Sequence, residues 1–97
     1  MDNIERFKQI ISEMSDTYEK KNHDYGNSFE TTLNKWGCNI AFARIEDKLN
    51  RASVLMHDQA MVNDESINDT LKDLATYAVM TLIWYEKVTK NGLTAIQ

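Results

Sequence analysis

The chain has 97 residues, with 11 basic and 15 acidic side chains and a formal net charge of −4. Hydrophobic residues make up 42% and charged residues 27%, the composition of a soluble globular domain with one core rather than two. The single cysteine, Cys38, excludes an intramolecular disulfide framework and a cysteine-rich zinc site, and the acidic balance argues against a broad nucleic-acid footprint, which needs clustered Lys and Arg.

There is no proline, and Gly26, Gly37 and Gly92 are the only glycines. Glycine is the default breaker, so these three mark the joints. The first predicted helix runs from about Asn3 to Asn22. Its apolar residues Ile4, Phe7, Ile10, Ile11, Met14 and Tyr18 recur at spacings of three and four, which form one helical stripe. His23 to Phe29 is polar, aromatic and turn-rich, and reads as an ordered loop followed by one or two helical turns before Gly37.

The second predicted helix spans about Asn39 to Met56, with Ile45, Leu49, Ala52 and Met56 as its apolar stripe. Arg44, Asp47, Lys48 and Arg51 stand at i, i+3, i+4 and i+7, so their heads share one face. His57 to Asn63 reads as a loop. Ser66 with Asp69 three residues on fits a capping box, and the third helix runs from about Ile67 to Lys90, stopped by Asn91-Gly92.

On that third helix Leu71, Leu74, Ala78 and Leu82 centre one face, predicted to be the core face. The opposite face begins with Asp69 and Asp73 and turns apolar at Tyr77, Met80 and Trp84. An element apolar nearly all round needs cover on both sides, and three helices of this size hardly supply it. The expectation is an all-α bundle of three main helices, one domain over residues 1–97, completed by self-association as a dimer or tetramer through Tyr77, Met80 and Trp84. The alternative cover is the tail, Leu93 to Gln97, folded back.

The segment Leu74–Tyr85 is interrupted by threonines and too short to span a bilayer, and Met1 to Arg6 lacks the pattern of a signal peptide. No membrane partner and a reducing, cytoplasmic setting are therefore expected.

Three residue sets carry chemistry. Glu65, Asp69 and Asp73 recur every four residues, with Glu46 and Asp47 on the preceding helix. Carboxylates from two packed helices suit Mg²⁺, a hard cation that keeps several waters; the plain reading is a solvated acidic face. The basic set is Lys20, Lys21, Arg44, Lys48 and Arg51. Arginine forks and lysine point charges suit phosphate; the plain reading is intrahelical ion pairing with Asp47. In the loop, Tyr25 or Phe29 suits stacking on a base and Asn22, Asn27 or Ser28 suits reading its edge; the plain reading is a capping loop with one aromatic plugged into the core. His23, His57 and Cys38 lack partners at metal or catalytic spacing.

Three blocks in order carry a resemblance: Lys21-Asn22-His23-Asp24-Tyr25-Gly26, then Ala43 to Arg51, then Asp64 to Met80, with Asp69-Thr70…Asp73-Leu74-Ala75…Tyr77-Ala78 the most specific. The chain resembles the phage and prophage family called nucleotide modification associated domain 1. That family is in turn distantly similar to the all-α MazG-like nucleoside triphosphate pyrophosphohydrolases. The resemblance implies a nucleotide-handling protein in which Glu65, Asp69, Asp73 and Asp47 hold Mg²⁺. Lys21, Arg44, Lys48 and Arg51 would then bind phosphate, and Tyr25 and Tyr77 would contact the ligand. As an enzyme it would split a (deoxy)nucleoside triphosphate into monophosphate and pyrophosphate, with Asp73, Asp69 and Glu65 catalytic.

The chain departs from the MazG-like pattern in two ways. Arg44, Lys48 and Arg51 crowd the first acidic motif, and Asp69 and Asp73 stand four apart rather than three. The alternative is accordingly a binder that sequesters a nucleotide, including a cyclic or ADP-ribose-type signal of host defence. A third reading is a helical adaptor that docks a partner through Tyr77, Met80 and Trp84.

Overall fold

The computed structural model describes residues 1–57 and 64–90. They form four helices in the order α1 (Asn3–Tyr25), α2 (Ser28–Trp36), α3 (Asn39–His57) and α4 (Asp64–Lys90). The all-α expectation holds, but the helix count is four: the segment read as a loop and a turn or two is mostly helix. Nothing in His23-Asp24-Tyr25 breaks a helix, so α1 continues to the residue before Gly26.

Each joint has a local cause. Asp2 caps α1 by accepting from the Glu5 N–H at 2.8 Å. Gly26 (φ 65, ψ −150) and Gly37 (φ 87, ψ −179) lie where only glycine sits without strain, and their N–H groups close the ends of α1 and α2 on Asn22 and Leu33. α4 begins at Asp64, so Ser66 lies inside the helix and is not its N-cap. The expected Asn91-Gly92 stop and the Leu93–Gln97 tail lie outside the described residues, as does most of the loop expected after His57.

α3 and α4 pack together most extensively. Lys48 reaches Asp73 and Arg51 reaches Thr70. Moving forward along α3 means moving backward along α4, so the pair is antiparallel. α2 closes one end of this hairpin. Leu33 (fully buried), Ala41, Trp84 and Val88 form the core there, with Phe29, Cys38 and Ile40 packed against it. The indole Nε1–H of Trp84 donates to Asn34 Oδ1 at 2.9 Å, so the buried donor is satisfied. α1 joins through fewer contacts, helped by Glu13, which accepts from Lys72 at 2.8 Å and from Arg6 at 3.2 Å.

The structure corrects the face assignments. On α4, Trp84 is 4% exposed and Thr70 3%, and Tyr77 lies edge-on to Phe29 with ring centroids 5.1 Å apart. Of the face predicted for self-association or an adaptor partner, Trp84 is thus buried by the chain's own helices, while Tyr77 and Met80 are half-buried along a cleft. The face predicted as core is the outward one: Leu71 is 42% and Leu82 55% exposed. On α3 the expected stripe holds in part, through buried Ala52 and half-buried Ile45. Ala41, Ala52 and Leu55 are buried while Leu49 and Met56 are exposed. Periodicity located α1, α3 and α4; it missed the extent of α2 and did not choose between two apolar faces of one helix. On α1 only Met14 of the stripe is buried. Among the described residues no helix is long and apolar enough to cross a membrane.

Two outcomes test this packing. Leu33→Ala should lower unfolding free energy by about 2–5 kcal/mol, through lost burial and the cavity left behind, measured by urea denaturation. Glu13 is held below the ordinary glutamate range by its hydrogen bonds from Lys72 and then Arg6. A depressed folded-state value contributes stability that is present above the unfolded-state pKa and is lost as pH falls through the folded one. Wild type should therefore lose more stability than Glu13→Gln on acidification through that window, and the two should show parallel curves near neutrality.

Candidate functional site

A cleft lies where the C-terminal end of α1, the start of α2 and the middle of α4 meet. Its volume is about 200 Å³. α1 contributes Lys21 and Asn22 from its last turns and Tyr25 from its end. The Gly26 turn reverses the chain so that Asn27, Ser28 and Phe29 form the next wall. An ideal Cβ at Gly26 would meet nothing within 4 Å, so glycine is required there for its positive φ rather than for space. α4 supplies Asp73, Thr76, Tyr77 and Met80, a set at i, i+3, i+4 and i+7 that shares one face.

The electrostatics are set by pairs reaching in from outside. Asp73 Oδ2 lies 3.3 Å from Lys48 Nζ, and Glu30 is bound by Lys87 at 3.0 Å. Both cleft carboxylates thus carry a lysine partner from another element, while Lys21 stands in the same cleft. At the mouth, Asn27 is the N-cap of α2 but makes no side-chain cap bond. Asn27 lines the cleft with Ser28 and Phe29, the first residues of α2, and the first N–H groups of a helix have no intrahelical partner. Tyr25 is exposed at the rim, and the Phe29–Tyr77 edge contact forms an aromatic floor.

Of the site residues expected from sequence, the cleft gathers Lys21, Asn22, Tyr25, Asn27, Ser28, Phe29, Asp73 and Tyr77, with Lys48 joined through Asp73. It does not gather the rest. Arg51 donates from Nε to Thr70 Oγ1 at 3.3 Å, and Arg44, Asp47 and Asp69 are exposed away from the cleft lining. The Glu65 side chain lies outside the described residues. Among the described residues no three His, Cys, Asp or Glu side chains converge as metal ligands. Of the expected ligands with described side chains, Asp73 alone lines the cleft, where it is paired with Lys48. Sequence reasoning passed over Thr76 and the α2 anchors Glu30 and Asn34. Thr76 was signalled by its position three after Asp73; the other two depend on long-range partners and left no local sign.

The fold and cleft define an all-helical protein with an aromatic, cation-bearing cleft between three of its helices. A family model described as nucleotide modification associated domain 1 matches residues 21–84, and the chain belongs to that family. The matched segment begins at Lys21 and ends at Trp84, so it takes in the core tryptophan and all of the cleft lining except Thr17 and Tyr18. No curated protein and no solved structure matched the chain.

The Gly26 turn is open to test. Gly26→Ala should destabilise the fold by about 1–3 kcal/mol, because alanine at this φ and ψ is strained whatever the room around it. Thermal unfolding measures it. A loss within error would mean that the turn relaxes freely.

Proposed function

We propose that this protein binds a nucleotide in the α1–α2–α4 cleft, its phosphate toward Lys21 and the start of α2 and its base on the aromatic side. The observation that carries the reading is the convergence of Lys21, Tyr25, Asp73 and Tyr77, from two separate segments, in one cleft of a chain whose family is associated with nucleotide modification. The chemistry supports it. Lysine and helix-terminal N–H groups suit phosphate oxygens, and tyrosine and phenylalanine faces suit a base. Paired carboxylates remove the repulsion that bare ones would exert on an anion. The cleft volume is below the roughly 300 Å³ of sites that enclose a drug-sized ligand, so part of a nucleotide stays in solvent and affinity is modest.

Binding, rather than a step through a resident metal, is what the described donors support. A second reading, hydrolysis of a (deoxy)nucleoside triphosphate to monophosphate and pyrophosphate, is kept by one fact: Asp73 lines the cleft. The basic pair Arg44 and Arg51 takes no part in either reading.

The test is calorimetric titration with ribo- and deoxynucleoside mono- and triphosphates and with cyclic and ADP-ribose-type nucleotides. It is run with Mg²⁺ and with chelator, and followed by ion-exchange separation of products. Lys21→Ala should weaken binding about tenfold or more, as expected for loss of a charge-assisted contact, and Tyr25→Ala by a similar factor through lost stacking. Arg44→Ala should bind like wild type. Monophosphate and pyrophosphate formed only with Mg²⁺, and lost in Asp73→Asn, would establish the second reading. No binding of any of these ligands at millimolar concentration would sink both.

A further inference from the structure

On the nucleotide-binding reading just given, on which this step rests, we propose that the ligand carries a single phosphate group and that Asp73 and Glu30 exclude longer phosphate chains. The charged residues of the cleft lining are Lys21, Glu30 and Asp73. Lys48 reaches the α4 wall at Asp73, and Lys87 reaches the α2 wall at Glu30. Three cations thus stand against two carboxylates, and the set as a whole keeps one positive charge. Among the described residues Lys21 makes no ion pair, so the surplus sits on the α1 wall.

That surplus suits one phosphate. A phosphate monoester carries about −1.5 to −2 charges at neutral pH, and every further phosphate of a di- or triphosphate adds to that. Lys21 and the unpaired N–H groups at the start of α2 can take up the first phosphate. A second has no favourable place. Towards α2 it meets Glu30, a carboxylate in the first turn, which already offsets the positive end of that helix. Towards α4 it meets Asp73. The Glu30 and Asp73 side chains are only 26% and 37% exposed, so salt screens them less than open surface groups and their repulsion of a nearby anion is stronger. Their lysines cancel that repulsion for one phosphate but are not free to bind another. Lys48 lies 3.3 Å from Asp73, and Lys87 lies 3.0 Å from Glu30.

Space acts in the same direction. The cleft holds about 200 Å³, under the roughly 300 Å³ at which sites enclose a drug-sized ligand. A base, a sugar and one phosphate already use that up. Whatever projects beyond it meets the field of a chain with a net charge of −4.

The test is calorimetric titration with ribo- and deoxynucleoside monophosphates, their 3′,5′-cyclic forms and the matching triphosphates, in chelator and then with Mg²⁺. For the best-bound base, the single-phosphate ligand should bind about tenfold or more tighter than the triphosphate in chelator. The cyclic arm shows whether that phosphate is taken as a monoester or a diester. Mg²⁺ neutralises part of a triphosphate, so the gap should narrow in its presence. Asp73→Asn and Glu30→Gln each leave a lysine unpaired at the wall. Each should raise triphosphate affinity about tenfold, and monophosphate affinity by less. Ion pairs of this exposure add little stability, so both variants should fold, as circular dichroism checks. Glu86→Gln removes the same charge from an exposed position of α4 outside the cleft lining and should leave the preference unchanged. A triphosphate that binds as tightly as its monophosphate in chelator overturns the proposal and leaves nucleotide binding standing. So does a gap that Mg²⁺ leaves unchanged, one that persists in both Asp73→Asn and Glu30→Gln, or one that Glu86→Gln shifts as far. No binding of any nucleotide removes this proposal together with the reading beneath it.

Discussion

The seating of Trp84 is the constraint from which the rest of the molecule follows. Its ring fills the corner made by Leu33, Ala41 and Val88, and its N–H is taken up by Asn34. A large side chain with a satisfied polar handle, almost wholly buried, fixes the rotation of the helix that carries it. Once α4 is turned this way, Asp73, Tyr77 and Met80 lie along the α1–α2 side and line the cleft. Leu71, Ala78 and Leu82 are turned outward by the same rotation. The cleft and the exposed apolar positions are two results of one packing decision.

The second organising feature is electrostatic. The cleft contains two carboxylates, yet each is tied to a lysine from another element: Asp73 to Lys48 of α3, and Glu30 to Lys87 near the end of α4. Exposed pairs of this kind contribute little to stability. Their effect here is on the field: an acidic protein of net charge −4 presents a cleft in which Lys21 is not outweighed by bare acids. The pairing of Asp73 with Lys48 is what, in the proposed reading, makes the cleft tolerable to an anionic ligand. It is the reason binding takes precedence over metal-assisted chemistry in our reading.

Much of the cleft was legible in the chain. Lys21, Tyr25 and the Asn27–Phe29 turn are close in sequence, and Gly26 marks where they must bend. The aromatic end of the acidic row on α4 already placed Asp73 and Tyr77 on one helical face. The basic stripe of α3 misled. Arg44, Lys48 and Arg51 do share a face, but the reach of each side chain divides them: Lys48 goes to Asp73, Arg51 to Thr70, and Arg44 to solvent. Common helical phase tells which residues are neighbours on a surface, not which partner each will find across an interface.

The sequence by itself determined three of the four described helices and the glycine joints at Gly26 and Gly37. Apolar spacing, the Asp2 cap and the two positive-φ glycines are local matters, decided within a turn or so of backbone. Only the tertiary structure decided which side of α3 and α4 faces inward, and with it which residues meet in the cleft. The physical reason is that both sides of α4 are apolar, so burial of either gives a similar hydrophobic gain and periodicity has no preference. The choice falls to shape: the fit of Trp84 beside Leu33 and Ala41, which no residue spacing encodes.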